Sequence, residues 1–185
     1  PTAYARRRDS IPKHVSAAFA AERKDFMKLL VFSDSHGNPG WMQEMIARQR
    51  TADAVIFLGD GARDVECMQG LYPEKAFYSV RGNCDFGSIL PDDLVLDLGG
   101  ARIFCTHGHN YGVKMGFYRV VCAARAKKAD LLLFGHTHQP MEQYDEGLYI
   151  LNPGSASGYS ASCGLVDISE AGILTNIIYL SLIHI

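Results

Sequence analysis

Long hydrophobic runs are missing from this chain of 185 residues, and none approaches the ~18 residues that a membrane-spanning helix requires. An excess of basic residues is missing too, because 18 Lys and Arg face 20 Asp and Glu and the formal net charge is -2. We therefore expect neither membrane insertion nor nucleic-acid binding driven by overall charge. The hydrophobic content of 48% is that of one ordinary globular domain.

Cysteine is sparse and shows no pairing pattern. The five cysteines are odd in number and scattered, and none forms a C-x-x-C pair. Such a set predicts neither a disulfide framework nor a thiolate metal site. We expect free, buried thiols in a reducing cytoplasm. The residues are Cys67, Cys84, Cys105, Cys122 and Cys163.

The two ends of the chain differ in composition from its middle. Residues 1–26 are rich in Arg, Ala and Ser, and Met27 opens the first strand-like run. We expect residues 1–26 to be a disordered or non-native extension, with a targeting arm as the alternative. Residues 27–179 then form the domain, and residues 180–185 are expected to be a non-native tail rather than a genuine short strand.

Apolar runs in the middle of the chain alternate with helical periodicity. Short, wholly apolar runs are typical of strands buried on both faces, and the opening β-α-β-α-β order predicts a parallel arrangement. Gly99-Gly100 between two such runs predicts a hairpin. The predicted strands are Leu29–Ser33, Ala54–Leu58, Ala76–Val80, Leu94–Leu98, Arg102–Thr106, Leu131–Phe134, Leu148–Leu151, Cys163–Ile168 and Ile173–Tyr179, the last three antiparallel. The predicted helices are Pro39–Arg50 with Asn38 as its cap, Arg63–Gln69, and Val113–Lys128.

Five short polar motifs each follow one of these strands. They are Asp34-Ser35-His36, Gly59-Asp60, Gly82-Asn83, His107-Gly108-His109 and Gly135-His136-Thr137-His138. Because ligands gather beyond the carboxyl ends of strands in open α/β sheets, we expect these side chains at one edge. Oxygen and imidazole ligands without thiolate suit Mn, Fe, Zn, Co or Ni. The set can hold two divalent metals, and such a pair can cleave phosphate esters.

In this order the motifs resemble those of the calcineurin-like metallophosphoesterases, above all the small bacterial and archaeal phosphodiesterase branch, also called YfcE-type. The resemblance covers roughly Met27 to Tyr179 and includes Asn152-Pro153-Gly154-Ser155. It implies an α/β fold, a four-layer αββα sandwich of two mixed β-sheets flanked by helices, with two divalent metal ions at one end. The implied ligands of one metal are Asp34, His36, Asp60 and His138, and those of the other are Asp60, Asn83, His107 and His136.

The third motif departs from the wider family pattern. Most members have a histidine after the asparagine, and it protonates the leaving group, whereas here the run is Gly82-Asn83-Cys84-Asp85. A thiol with a reference pKa of ~8.5 can donate a proton in principle, and a merely structural Cys84 is the alternative. Asp85 is expected to orient a ligand such as His107 or His136.

The sequence therefore predicts a metal-dependent phosphoesterase, most specifically a phosphodiesterase. A hydroxide activated by two metals, with Mn favoured, would attack a small phosphate ester. His109 and Asn38 are expected to steady the transition-state oxygens, with Cys84 and Asp85 completing the catalytic set. The alternatives are a non-catalytic interaction scaffold on the same fold, a phosphomonoesterase, or a nuclease, which the acidic domain disfavours. A homo-oligomer is a further expectation, although the sequence identifies no interface.

Overall fold

The computed structural model describes residues 26–179, so the expectations for residues 1–25 and 180–185 lie outside the described part of the chain. Phe26, assigned above to the extension, is the first residue of a strand. The strands are β1 (Phe26–Phe32), β2 (Ala54–Phe57), β3 (Ala76–Ser79), β4 (Asp93–Leu98), β5 (Ala101–Thr106), β6 (Leu131–Phe134), β7 (Met141–Asp145), β8 (Leu148–Asn152), β9 (Ser162–Ser169) and β10 (Gly172–Tyr179). The helices are α1 (Gly40–Arg48), α2 (Ala62–Leu71) and α3 (Tyr118–Ala126), and a 3-10 turn spans His109–Tyr111.

The strands form two mixed five-stranded sheets. The first has the order β10-β9-β1-β2-β3 and the second the order β4-β5-β6-β8-β7. Strands β1, β2 and β3 are parallel, as predicted, and β9 and β10 are antiparallel. The prediction for β8 is wrong in part, because β8 runs parallel to β6 and antiparallel only to β7.

Alternating side chains of the central strands of the first sheet contribute to two separate cores. Leu29 and Val31 of β1 lie in the core between the two sheets. Leu30 and Phe32, on the other face of the same strand, pack with residues of α1 and α2. This burial on both faces explains why the strand is wholly apolar, since each fully buried side chain of this kind stabilises the fold by roughly 1.5–3 kcal/mol.

Helix α3 covers the outer face of the second sheet, where Val120 and Ala124 pack against Phe104 and Phe134. Helices therefore lie outside both sheets, and the four-layer αββα sandwich is confirmed. The hairpin at Gly99-Gly100 is also confirmed, since it joins the antiparallel pair β4 and β5 and both glycines have positive φ.

Three local predictions differ from the structure. Helix α3 starts at Tyr118 and not at Val113, because Gly112 and Gly116 have φ values of 65° and 145°, which no helix accommodates. Helix α1 starts at Gly40 and has no side-chain cap, so the assignment of Asn38 as its cap is wrong. Strand β7 was not predicted at all, because most of its residues are exposed and polar.

The cysteines are all free, as expected, but their predicted burial holds for only two of them. Cys105 and Cys163 are buried within strands, and burial raises the pKa of both thiols. The other three, Cys67, Cys84 and Cys122, are exposed.

Candidate metal centre

The polar motifs converge where the parallel strands of both sheets end. Asp34 and Asp60 follow β1 and β2, while His107 and His136 follow β5 and β6. Hydrogen bonds join the two sheets at this point. The Nδ1 atom of His107 lies 2.7 Å from the carbonyl oxygen of Leu58, and the His136 N–H donates to Asp34 Oδ2 at 3.0 Å. The predicted edge is thus a seam between the two sheets.

Asp34, His36 and His138 form the first cluster of candidate metal ligands. The two Nε2 atoms of His36 and His138 are 3.2 Å apart. They lie 3.8 Å and 3.1 Å, respectively, from Asp34 Oδ1. Three potential ligand atoms on two widely separated segments of the chain thus face one point.

The second cluster consists of Asp60, His107 and His136, with the Asn83 amide beside it. The Nε2 atom of His107 lies 3.1 Å from His136 Nδ1, 3.1 Å from Asn83 Oδ1 and 3.5 Å from Asp60 Oδ2. Asp60 also lies within 4.8 Å of a His36 ligand nitrogen. Its carboxylate therefore stands between the two clusters, and all seven residues predicted as metal ligands are brought together.

The backbone of these residues is held in an uncommon conformation. Five of the seven have positive φ, between 48° and 68°: Asp34, His36, Asp60, His136 and His138. Non-glycine residues adopt this left-handed region at a cost of order 1–3 kcal/mol each, and such strain concentrates at functional sites. The surrounding hydrogen bonds and packing must supply this energy.

Glycines beside the ligands allow the loops to approach closely. A Cβ atom on Gly59, where φ is +96°, would lie 2.5 Å from the backbone nitrogen of Gly82. A Cβ atom on Gly82 would lie 2.0 Å from Asp60 Oδ1. Only glycine fits at these two positions, and their contact brings the second and third motifs together.

The donor set fits divalent metal ions. Asp34 Oδ1 is buried and has no hydrogen-bond donor among the described residues. Burial, together with the neighbouring His107 and Lys114, lowers the pKa of His136 to about 4, so its imidazole is neutral at neutral pH. A neutral imidazole, and a carboxylate oxygen that accepts no hydrogen bond, are the forms that coordinate metals.

Asp60 remains ionised in this setting. Burial alone would raise the pKa of its carboxyl, but the Cys84 N–H bond to Oδ1 at 2.7 Å and the neighbouring His107 lower the pKa below its usual value. A carboxylate that stays charged between two imidazole-rich clusters is suited to bridge two cations.

Cys84 lies beside Asp60 and is exposed to solvent. Its hydrogen bond to the Asp60 carboxylate, then partial burial and the charges of Asp60, Asp85 and Asp34, raise the pKa of the thiol. The thiol therefore keeps its proton at neutral pH. This state is compatible with a proton donor as well as with a structural hydrogen bond, the two alternatives that the sequence left open.

Asp85 holds the backbone of a candidate ligand, Asp60, and not the His107 or His136 ring that the sequence suggested as its partner. Its Oδ2 accepts the N–H groups of Asp60 and Gly82, both at 2.8 Å. Its Oδ1 accepts those of Gly61 and Ala62, both at 2.9 Å. The carboxylate thus supplies the acceptor that the N-terminus of α2 lacks and fixes the loops of the second and third motifs. The His107 ring is held instead by the carbonyl of Leu58.

His109 and Asn38 border the centre without belonging to either cluster. The ring centroid of His109 is 5.3 Å from that of His107, and its Nδ1 is buried with no hydrogen-bond partner among residues 26–179. Burial and the charge of His107 lower the pKa of His109. Asn38 is exposed in the turn after the first motif.

Sequence reasoning gave no role to several residues that hold the motif loops. The Asn152 amide donates to the Gly135 carbonyl and to Thr137 Oγ1, both at 3.0 Å, and Ser155 Oγ donates to the Asp34 carbonyl at 2.8 Å. Both residues belong to the segment Asn152-Pro153-Gly154-Ser155, which carried part of the family resemblance and could have indicated such a role. No feature of the sequence indicated that Asp64 on α2 would bind the loop of the first motif.

A groove of about 540 Å³ lies elsewhere, at the amino-terminal ends of β5 and β6. Hairpin turns line it, including those at Gly99, Gly147 and Gly172, and it contains none of the predicted site residues. The predicted site residues lie at the other ends of these strands, after the last residues of β5 and β6.

Comparison with known proteins identifies the family. A sequence model described as the calcineurin-like phosphoesterase superfamily domain matches residues 27–171. The chain belongs to this superfamily. Among its members, the probable metallophosphoesterase YsnB of Bacillus subtilis (strain 168) is 35% identical over 130 residues, 70% of this chain and 75% of the relative. The phosphodiesterase YfcE of Escherichia coli (strain K12) is 31% identical over 170 residues, 76% and 88% of the two chains.

Solved structures agree with the superfamily fold. A predicted phosphoesterase from Streptococcus pneumoniae TIGR4 aligns with a TM-score of 0.72 at 29% identity, covering 83% of this chain and 90% of its own. Vacuolar Protein Sorting 29 from Cryptosporidium parvum aligns with a TM-score of 0.69 at 19% identity, covering 84% and 98%, and shows the fold alone. In the described part of the chain, no helix has the length and hydropathy needed to cross a membrane.

Proposed function

We propose that this chain is a metal-dependent phosphodiesterase that hydrolyses a small phosphate ester at a centre of two divalent metal ions, with Mn²⁺ as the favoured ion. The observation that carries the proposal is the position of Asp60, whose carboxylate lies within 4.8 Å of ligand atoms from both clusters. The phosphodiesterase name of the E. coli relative supports the substrate class.

The seven candidate ligands fall into two groups, one for each metal position. Two adjacent divalent ions, when bound, lower the pKa of an attacking water and neutralise charge on the phosphate. Asp34, His36 and His138 would hold one ion. Asn83, His107 and His136 would hold the other, and Asp60 would contact both.

Three residues outside the ligand set complete the proposed chemistry. His109 borders the second cluster and Asn38 follows the first motif, so both are proposed to donate hydrogen bonds to phosphate oxygens. Cys84 is proposed as the proton donor to the leaving oxygen, because its thiol remains protonated beside Asp60. Asp85 acts at a distance by fixing the loop that carries Asp60.

The setting of the reaction follows from the same features. Acidic residues outnumber basic ones along the chain, which supports a small phosphate ester rather than a nucleic acid as substrate. We place the protein in the cytoplasm, in accordance with its free cysteines.

The proposal is tested by metal add-back after chelation. Mn²⁺ should restore hydrolysis of bis(4-nitrophenyl) phosphate to the stripped protein, and Asp60→Asn should reduce it to background. Asp97→Asn, a charge change at an exposed position of β4, is the matched control and should retain wild-type activity. Faster turnover of 4-nitrophenyl phosphate would overturn the phosphodiesterase assignment, and no turnover with any divalent ion would favour the interaction scaffold.

A further inference from the structure

The Asp64 carboxylate connects helix α2 to the loop of the first motif. Its Oδ2 atom accepts the Ser35 hydroxyl at 2.5 Å and the Gly37 N–H at 2.9 Å. These two donors flank His36, so a single carboxylate oxygen fixes the chain on both sides of a candidate metal ligand. In the sequence, Gly37 is 27 positions and Ser35 is 29 positions away from Asp64.

The loop at His36 needs such support. His36 has a φ of 48°, a conformation that a histidine rarely adopts without external restraint. Its own N–H donates to the Asp60 carbonyl at 3.0 Å. With Ser35 and Gly37 bound to Asp64, three consecutive residues are anchored, and with them the Cα–Cβ direction from which the His36 side chain extends.

The contact is enclosed and sterically specific. Asp64 and Ser35 are both buried, and a Cβ atom on Gly61 would lie only 2.0 Å from Ser35 Oγ. Asp64 lies in the first turn of α2, where the helix dipole stabilises a negative charge. Stabilising its own helix would not require Asp64 to contact another loop. Its Oδ2 atom nevertheless accepts hydrogen bonds from both Ser35 and Gly37.

We propose that Asp64 is a positioning residue: it holds the His36 imidazole in its coordinating orientation and so sets the affinity of the metal position formed with Asp34 and His138. The inference rests on the proposed two-metal function. It makes the N-terminal turn of α2 a support for both ends of the centre, since Asp85 binds the backbone of Gly61 and Ala62 at the start of the same helix.

The test is a Mn²⁺ titration of the metal-free protein by calorimetry, with electron paramagnetic resonance to detect an exchange-coupled Mn pair. Asp64→Ala should weaken one of two binding events about 10–100-fold, as is usual when the support of a metal ligand is lost, and leave the other unchanged. The coupled signal should disappear at Mn²⁺ concentrations that saturate the wild type. Asp64→Asn should recover much of the affinity, because its amide oxygen can still accept from Ser35 and Gly37.

Glu66→Ala, an exposed acid on the same helix, is the matched control and should bind both ions as the wild type does. Two unchanged affinities in Asp64→Ala would overturn the inference, and so would an equal loss at both positions with a lower melting temperature. If Asp64→Ala does not fold, Ser35→Ala decides, since it must weaken the same single position. If the wild type binds fewer than two ions, the proposed function itself is refuted. If the wild type binds two ions and Asp64→Ala does too with unchanged affinities, only the role of Asp64 is refuted.

Discussion

Alanine at Gly82 would place a methyl group inside the metal centre. The new Cβ would lie 2.0 Å from Asp60 Oδ1 and 2.7 Å from its Cγ. Ordinary contact begins at 3.4 Å, so the Asp60 carboxylate would have to move by about 1.4 Å. The new Cβ would also lie 2.5 Å from the Asp60 backbone nitrogen, so the two loops would have to separate as well. These movements break the 2.7 Å bond from the Cys84 N–H to Asp60 Oδ1.

The expected loss follows from the size of that displacement. A misplacement of about 1 Å at a reacting centre can reduce activity by about 10²-fold, or ~2.7 kcal/mol of transition-state stabilisation. Overpacking should also lower the free energy of unfolding by about 1–3 kcal/mol. Because Asp60 is proposed to contact both ions, Gly82→Ala should weaken the binding of both.

The assay is kcat/KM for bis(4-nitrophenyl) phosphate at saturating Mn²⁺, with thermal unfolding measured in parallel. Gly70→Ala is the matched control, because nothing lies within 4 Å of a Cβ at this position of α2. It should keep wild-type activity and gain about 0.5–1 kcal/mol of stability from better helix propensity. Wild-type kcat/KM in Gly82→Ala would refute the close approach of the two loops as a requirement for activity.

Three further predictions concern two neighbours of the candidate ligands and one of the ligands themselves. Cys84→Ala should lower kcat/KM for esters with a poor alkoxide leaving group at least 10-fold more than for esters of 4-nitrophenol, since only the former need a proton donor. Equal losses of kcat/KM for both kinds of ester would exclude Cys84 as the acid. Asp85→Ala should lower the free energy of unfolding by at least about 2 kcal/mol because it leaves four N–H groups without their acceptor, and a chemical-denaturation change below about 0.5 kcal/mol would contradict this. In the metal-free protein the pKa of His136 is lowered to about 4. The unfolded chain therefore binds more protons between pH 6.5 and 4, and stability should fall as the pH falls through that window. His136→Asn should flatten this slope, and an unchanged slope would contradict the lowered pKa of His136.

The convergence of the candidate metal ligands could be predicted because their positions follow from strand topology. An apolar run that is buried on both faces is a central strand, and the carboxyl ends of neighbouring parallel strands lie side by side at one end of the sheet. Asp34, Asp60 and His107 each follow such a run closely, so one sequence suffices to bring them together. Asp85 was also expected near the centre, but its partners were not predicted. They are backbone N–H groups, which every residue except proline offers and which the sequence therefore does not distinguish.

The supporting contacts could not be predicted, because they join residues far apart in sequence through single atoms. Nothing in the residue types of α2 indicates that Asp64 turns toward Ser35 rather than toward solvent. The late start of α3 at Tyr118 depends on positive φ at Gly112 and Gly116, and the periodicity of the apolar residues does not report backbone angles. Strand β7 lacks the apolar alternation that identifies strands, because it forms the edge of its sheet.

One end of the sandwich is proposed to hold two metal ions that share Asp60. Crystals of the protein grown with Mn²⁺ and measured at the manganese absorption edge test it directly. We predict two anomalous peaks about 3.5–4 Å apart, one beside Asp34, His36 and His138 and the other beside His107 and His136. A single peak, or two peaks without the Asp60 carboxylate between them, would contradict a centre of two ions that share Asp60.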